Sequence, residues 1–173
     1  MTPNTIEAPL WALSLAYWLH MLATIVWIGG LAALALLVLP AARQRLSADD
    51  LASLLHNIQS RLDPLAWMSL AVLTATGLFQ MSANPNYLGF LAFSNLWARA
   101  ILFKHLSFFL MVGLSAYLTW GLLPALRREA LLRAKGLAHP QAAQLQRREI
   151  WLIRLNLLLG VIILGLTALA RAS

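Results

Sequence analysis

No cysteine occurs in the 173 residues. Disulfides, thiolate zinc sites, iron–sulfur clusters and cysteine nucleophiles are therefore excluded. Charge is almost as scarce. Asp, Glu, Lys and Arg together make up 11% of the chain, against roughly 25% in soluble domains. Acid is the rarest component, with six Asp and Glu against thirteen Lys and Arg. None of the six falls inside a long apolar run, so a carboxylate relay of the kind used by ion-coupled pumps is missing. No nucleophile, base and orienting acid cluster together, which argues against a hydrolase, and no catalytic residue is assigned. What the chain has in abundance is apolar side chain, 61% of it. That proportion excludes disorder and points to a lipid environment for a single domain spanning residues 1–173.

Four apolar runs stand out, at about residues 10–39, 65–83, 96–123 and 150–170. Each approaches or exceeds the ~20 residues that cross a hydrocarbon core as a helix. The expected fold is all-α, an antiparallel bundle of four transmembrane helices. The leader Met1–Pro9 carries Glu7 and no basic residue, so a cleavable signal peptide is not expected. Pro40, Pro64 and Pro124 fall at the inner edges of the first three spans, where a proline costs little. Asn84-Pro85-Asn86 reads as the turn that closes the second. No internal repeat is evident.

Basic residues set the orientation. The first and third connections hold Arg43, Arg45, Arg61, Arg127, Arg128, Arg133, Lys135, Arg147 and Arg148, and the opposite side holds Arg171. The positive-inside rule places those connections in the cytoplasm and both termini outside, as in a bacterial inner-membrane protein. The +7 charge thus reflects topology and anionic lipid, with no aromatic-interleaved patch for nucleic acid. Trp11, Trp97 and Tyr87 then mark the outer interface, and Trp67 and Trp151 the inner one. Ser47-Ala48-Asp49-Asp50 resembles a helix N-cap. Leu51, Leu54, Leu55, Ile58 and Leu62 follow at helical spacing. Together they predict a short amphipathic helix over residues 48–62, lying on the cytoplasmic membrane surface. His56 and His139 are expected in solvent.

Ionisable side chains inside a membrane are costly and so mark candidate sites. Three qualify: His20, Lys104 and His105. At ~1.5 Å per residue from Trp11 and Trp97, all three fall roughly 11–13 Å below the outer interface. Thr74, Thr76 and Gly77 reach a similar level on the second span. Gly77 leaves room for a flat ligand or a close helix.

Two histidines on different helices at one depth suit axial ligation of haem b. Arg99 and Arg171 would then meet its propionates. The same imidazoles suit copper, with Met21, Met81 or Met111 as thioether donors. Lys104 argues against a bare cation and for an anionic ligand. The residues leave copper and haem as alternatives.

The run Trp18-Leu19-His20-Met21 through Trp27-Ile28-Gly29-Gly30 to Leu39-Pro40 resembles the first core helix of the copper resistance D (CopD) family. Arg61 leading into Leu73-Thr74-Ala75-Thr76-Gly77-Leu78 fits the same pattern. So do Ile101-Leu102-Phe103-Lys104-His105 and Ala116-Tyr117 before Leu123-Pro124. The resemblance implies an inner-membrane protein of copper uptake or homeostasis, with His20 and Lys104 as its polar positions. It implies a periplasmic copper donor or redox partner, since larger CopD proteins have further membrane helices. The chain is more distantly similar to HemJ-type protoporphyrinogen oxidases, which share the helix-1 histidine and helix-3 lysine.

Overall fold

The computed structural model describes residues 9–85, 87, 89, 96–134 and 142–172. Within these, all regular structure is helical: α1 (Leu10–Ala32), α2 (Leu39–Arg45), α3 (Ala48–Ser82), α4 (Leu96–Ala116), α5 (Leu123–Ala134) and α6 (Ala142–Ala172). Two π-helical turns, Ala33–Val38 and Tyr117–Leu122, join α1 to α2 and α4 to α5 without a break. Four continuous helices are therefore long and apolar enough to cross a membrane. In the antiparallel bundle, α1 packs along α3, α4 packs along α6, and α1 meets α6. Small residues set these approaches. Ala16, Ala23, Ala98 and Ala100 are buried at the contacts. A methyl group on Gly160 would lie 3.4 Å from Ile28, so glycine there lets α6 close on α1.

Large apolar side chains cover the outside of the bundle, among them Trp18, Ile25, Phe103, Leu106, Phe109 and Leu110. In water such a surface would aggregate; in lipid it is the expected exterior. The core is heaviest toward the Pro40 and Pro124 end of the bundle, where Leu34, Leu39, Leu55, Leu122 and Ile153 are buried in one cluster. A second cluster of Trp27, Leu70, Met111 and Leu159 crosses the middle.

The prolines depart from the expected edge positions. Pro40 and Pro124 lie within continuous helices, immediately after the π turns. A helical proline lacks its N–H and its ring strikes the carbonyl four residues back. Widening the preceding turn relieves that contact. Leu39 N–H bonds the Leu34 carbonyl, and Leu123 N–H bonds the Leu118 carbonyl, both five residues back. Pro64 likewise lies inside α3.

The cytoplasmic surface helix is also corrected. Residues 48–62 are helical, and Ser47 caps them by accepting from Asp50 N–H at 3.2 Å. They form the first half of the unbroken α3 rather than a separate element. Their apolar stripe packs inward: Leu51 and Leu55 are buried in the inner cluster, with Leu54, Ile58 and Leu62 against it. An amphipathic pattern specifies an apolar partner, and here that partner is the protein core.

A further correction concerns repetition. His20 and Lys104 each stand 20 residues before a proline, Pro40 and Pro124. Trp27 and Met111, Leu34 and Leu118, and Leu39 and Leu123 share the same 84-residue offset and are all buried. The first and third spans therefore present the same register to the bundle interior. Where a turn at Asn84-Pro85-Asn86 is expected, the Tyr87 N–H bonds the Asn84 carbonyl at 3.0 Å; Asn86 lies outside the described residues. His139 lies outside the described residues, and His56 is half-buried rather than solvated. Trp97, expected at the headgroups, is buried at 7% exposure, while Trp11 and Trp151 are exposed. Trp67 stacks on Trp120, ring centroids 4.8 Å apart, and ties α3 to the second π turn.

Candidate polar site between the helices

His20 sits on the face of α1 that packs on α3. Its Nδ1 lies 2.8 Å from Thr76 Oγ1. Thr76 has one hydroxyl proton and spends it on the Val72 carbonyl, 2.6 Å away. The hydroxyl can therefore only accept from the imidazole, so Nδ1 carries the proton. In the neutral ring Nε2 then carries the lone pair. This is the arrangement by which a second residue fixes the tautomer of a metal-ligating histidine. Thr24, one turn further along α1, bonds back to the His20 carbonyl at 2.7 Å.

Gly77 lies against the same ring. A methyl group there would lie 3.4 Å from His20 Cε1. Of the two expected uses of this glycine, the structure shows the close helix: α1 meets α3 here through the imidazole edge. Gln80 holds α3 to α1 above this level, donating to the Ala16 carbonyl at 3.1 Å.

Lys104 and Arg171 both lie within Coulombic range of His20. The Arg171 guanidinium is 4.8 Å from the centre of the Tyr17 ring, one turn outward of His20 on α1, in a cation–π contact. His105 is turned along α4. Its Nδ1 donates to the Ile101 carbonyl of its own helix at 2.7 Å, which makes Nε2 its lone-pair nitrogen as well. Lys104, not His105, occupies the α4 position equivalent to that of His20 on α1.

The structure gathers His20, Thr76, Gly77, Lys104 and Arg171 at one level. It does not bring in Met21. Met21 is 63% exposed on the outer surface of α1, because one step along a helix turns a side chain by ~100°. Arg99 lies on an exposed face of α4. Among the described residues, no three histidines or carboxylates gather as a metal cage.

Sequence reading missed a second polar layer nearer the Pro40 and Pro124 end of the bundle. Asn156, 2% exposed, donates to Ser115 Oγ at 2.7 Å across the α6–α4 contact. Glu149, 3% exposed, is hydrogen-bonded by Gln59. Asp63 accepts from Thr119. Asn156 is a lone amide in an apolar span, and that was the available signal.

These features define a polytopic membrane protein with a histidine–lysine site between its helices. The family model for copper resistance protein D matches residues 56–170, and the chain belongs to that family. The match takes in Thr76, Gly77, Lys104 and His105 and begins after His20. Comparison with curated proteins and with solved structures gives no significant match. The protein is thus a copper-resistance membrane protein of the CopD family.

Proposed function

We propose that the protein handles copper as cargo in the bacterial inner membrane, accepting it at His20 in the outer half of the bundle. The observation that carries this reading is the Thr76 hydrogen bond, which puts the lone pair of His20 on Nε2, where it can act as a donor. Neutral imidazole suits copper. A site without a complete set of protein donors suits a passing cargo better than a resident ion, so the metal retains donors of its own or from a periplasmic partner. Lys104 beside His20 disfavours a bare cation while it holds its proton. Copper therefore enters with an anionic co-ligand or displaces that proton, in keeping with the general linkage of metal binding to proton release.

Haem b is the less supported occupant. Two imidazoles with Nε2 lone pairs match its axial chemistry, and Lys104 and Arg171 match its propionates. The face beside Gly77, however, is filled by the His20 ring. HemJ-like oxidase chemistry would depend on that haem.

The test is direct. Protein purified from copper-fed cells is expected to show no Soret band, to bind Cu(I) under reducing conditions, and to show imidazole nitrogen in its copper X-ray absorption spectrum. His20→Ala abolishes that binding, and Met21→Ala leaves it intact. A Soret band that shifts on dithionite reduction would replace copper with haem.

Topology is tested separately. Both termini are assigned to the outside and the basic connections to the cytoplasm. Because the chain lacks cysteine, a single Ser173→Cys variant is a clean reporter. An impermeant maleimide added to spheroplasts should label it. Labelling only after lysis would invert the orientation.

A further inference from the structure

Between α1, α3, α4, α6 and the two π turns lies a cavity of about 90 Å³, open at Val26 and Leu65 and walled mostly by apolar side chains. Three of its lining residues are more than nine-tenths buried and carry a polar atom with no hydrogen-bond partner in the protein. They are Trp27 through Nε1, Gln59 through Oε1 and Asn156 through Oδ1. Ser115, Asp63 and Thr119 complete the polar lining. These groups come from all four continuous helices, Gln59 and Asp63 from one and Ser115 and Thr119 from another. Converging on one space, they present two amide oxygens, a carboxylate, two hydroxyls and one indole N–H.

Leaving such groups buried without partners costs each its desolvation. Apolar cavities remain dry, but a polar one takes up water once it offers roughly 10–15 Å³ to a probe and two to four partners. This cavity exceeds that several-fold. No Lys, Arg or His lines it, so its polar walls disfavour anions. Oxygen donors disfavour soft metal ions as well. A ligand that both donates to Asn156, Gln59 and Asp63 and accepts from Trp27 is water.

We propose that this cavity is a second polar site, a water-binding chamber whose Asp63 favours small cations over anions entering with the water. It is independent of what the outer site holds. It hydrates the bundle up to the apolar layer of Trp27, Leu70, Met111 and Leu159. That layer, with Leu73 and Phe108 packed against it, lies between the chamber and the level of His20 and Lys104. Trp67, which lines it from α3, stacks on Trp120.

The natural absence of cysteine provides the test. Ser115→Cys and Thr119→Cys place a thiol in the chamber, and Leu158→Cys places one on the lipid-facing side of α6 near the same depth. Methanethiosulfonates react with thiolate, and each unit by which desolvation raises a thiol pKa lowers the thiolate fraction about tenfold. A small trimethylammonium methanethiosulfonate is therefore expected to modify the two chamber thiols at least about tenfold faster than Leu158→Cys. A sulfonate reagent of similar size should be slower than the cationic one at both positions. Equal rates at chamber and lipid-facing positions would overturn the chamber. Equal rates for the two reagents would overturn its preference for cations. Should the variants misfold, X-ray hydroxyl-radical footprinting of the unaltered protein decides the matter. Water held in the chamber would oxidise Trp27 despite its 4% exposure, and full protection of Trp27 would sink the proposal.

Discussion

Replacing Thr76 by valine should weaken Cu(I) binding about 10–100-fold, the usual cost of losing the outer partner of a metal-ligating histidine. Valine keeps the shape of threonine and removes the oxygen that accepts from His20 Nδ1 at 2.8 Å. The imidazole then loses the bond that places its proton, and either nitrogen can hold it. Thr76→Ser retains the acceptor and should recover most of the affinity. Competition against a calibrated Cu(I) chelator measures both variants. Equal affinity in wild type and Thr76→Val would show that His20 needs no orientation by α3. A merely structural role for Thr76 would lower stability in both substitutions without separating their affinities.

The second large effect concerns stability. Leu39 is 0% exposed at the centre of the inner cluster. Truncating a buried leucine to alanine costs 2–5 kcal/mol in soluble cores, part transfer from water and part cavity. In a bilayer the transfer part largely vanishes, because lipid is as apolar as the protein interior. The cavity and lost dispersion contacts remain. The expected cost for Leu39→Ala is therefore about 2 kcal/mol, at the low end of that range. Leu36, three residues earlier and 64% exposed, should change stability by less than ~0.5 kcal/mol when replaced by alanine. Unfolding in mixed micelles by titration with dodecyl sulfate compares the two. Similar losses at both positions would show that lipid packing, and not the inner cluster, sets the stability of this helix.

The four spans were legible because length and apolarity alone define a membrane helix. So was the common depth of His20 and Lys104, since counting residues along two parallel-running helices needs no tertiary information. The partner of the 48–62 stripe was not legible. Leu51 and Leu55 show one apolar face, but periodicity carries no label distinguishing a lipid surface from a protein core. The π turns were hidden for a related reason. Leu39-Pro40 and Leu123-Pro124 read as helix ends, yet lipid leaves the backbone no solvent in which to end, so the helix widens and continues. The Thr76 contact depends on residues 56 positions apart in sequence, and the Asn156–Ser115 bond on residues 41 apart. Pairs of that kind require the packing to be known. The shared register of the first and third spans could have been read from the two Leu-Pro pairs and the equal distances to His20 and Lys104.

Apolar layers on both sides of the chamber have an electrical consequence. A membrane voltage falls across insulating material and little across hydrated space. With water in the chamber, the drop divides between the layer of Trp27, Leu70, Met111 and Leu159 and the cluster of Leu34, Leu39, Leu55, Leu122 and Ile153. A cation crossing either layer would traverse only part of the ~2.3 kcal/mol per 100 mV that a full crossing is worth.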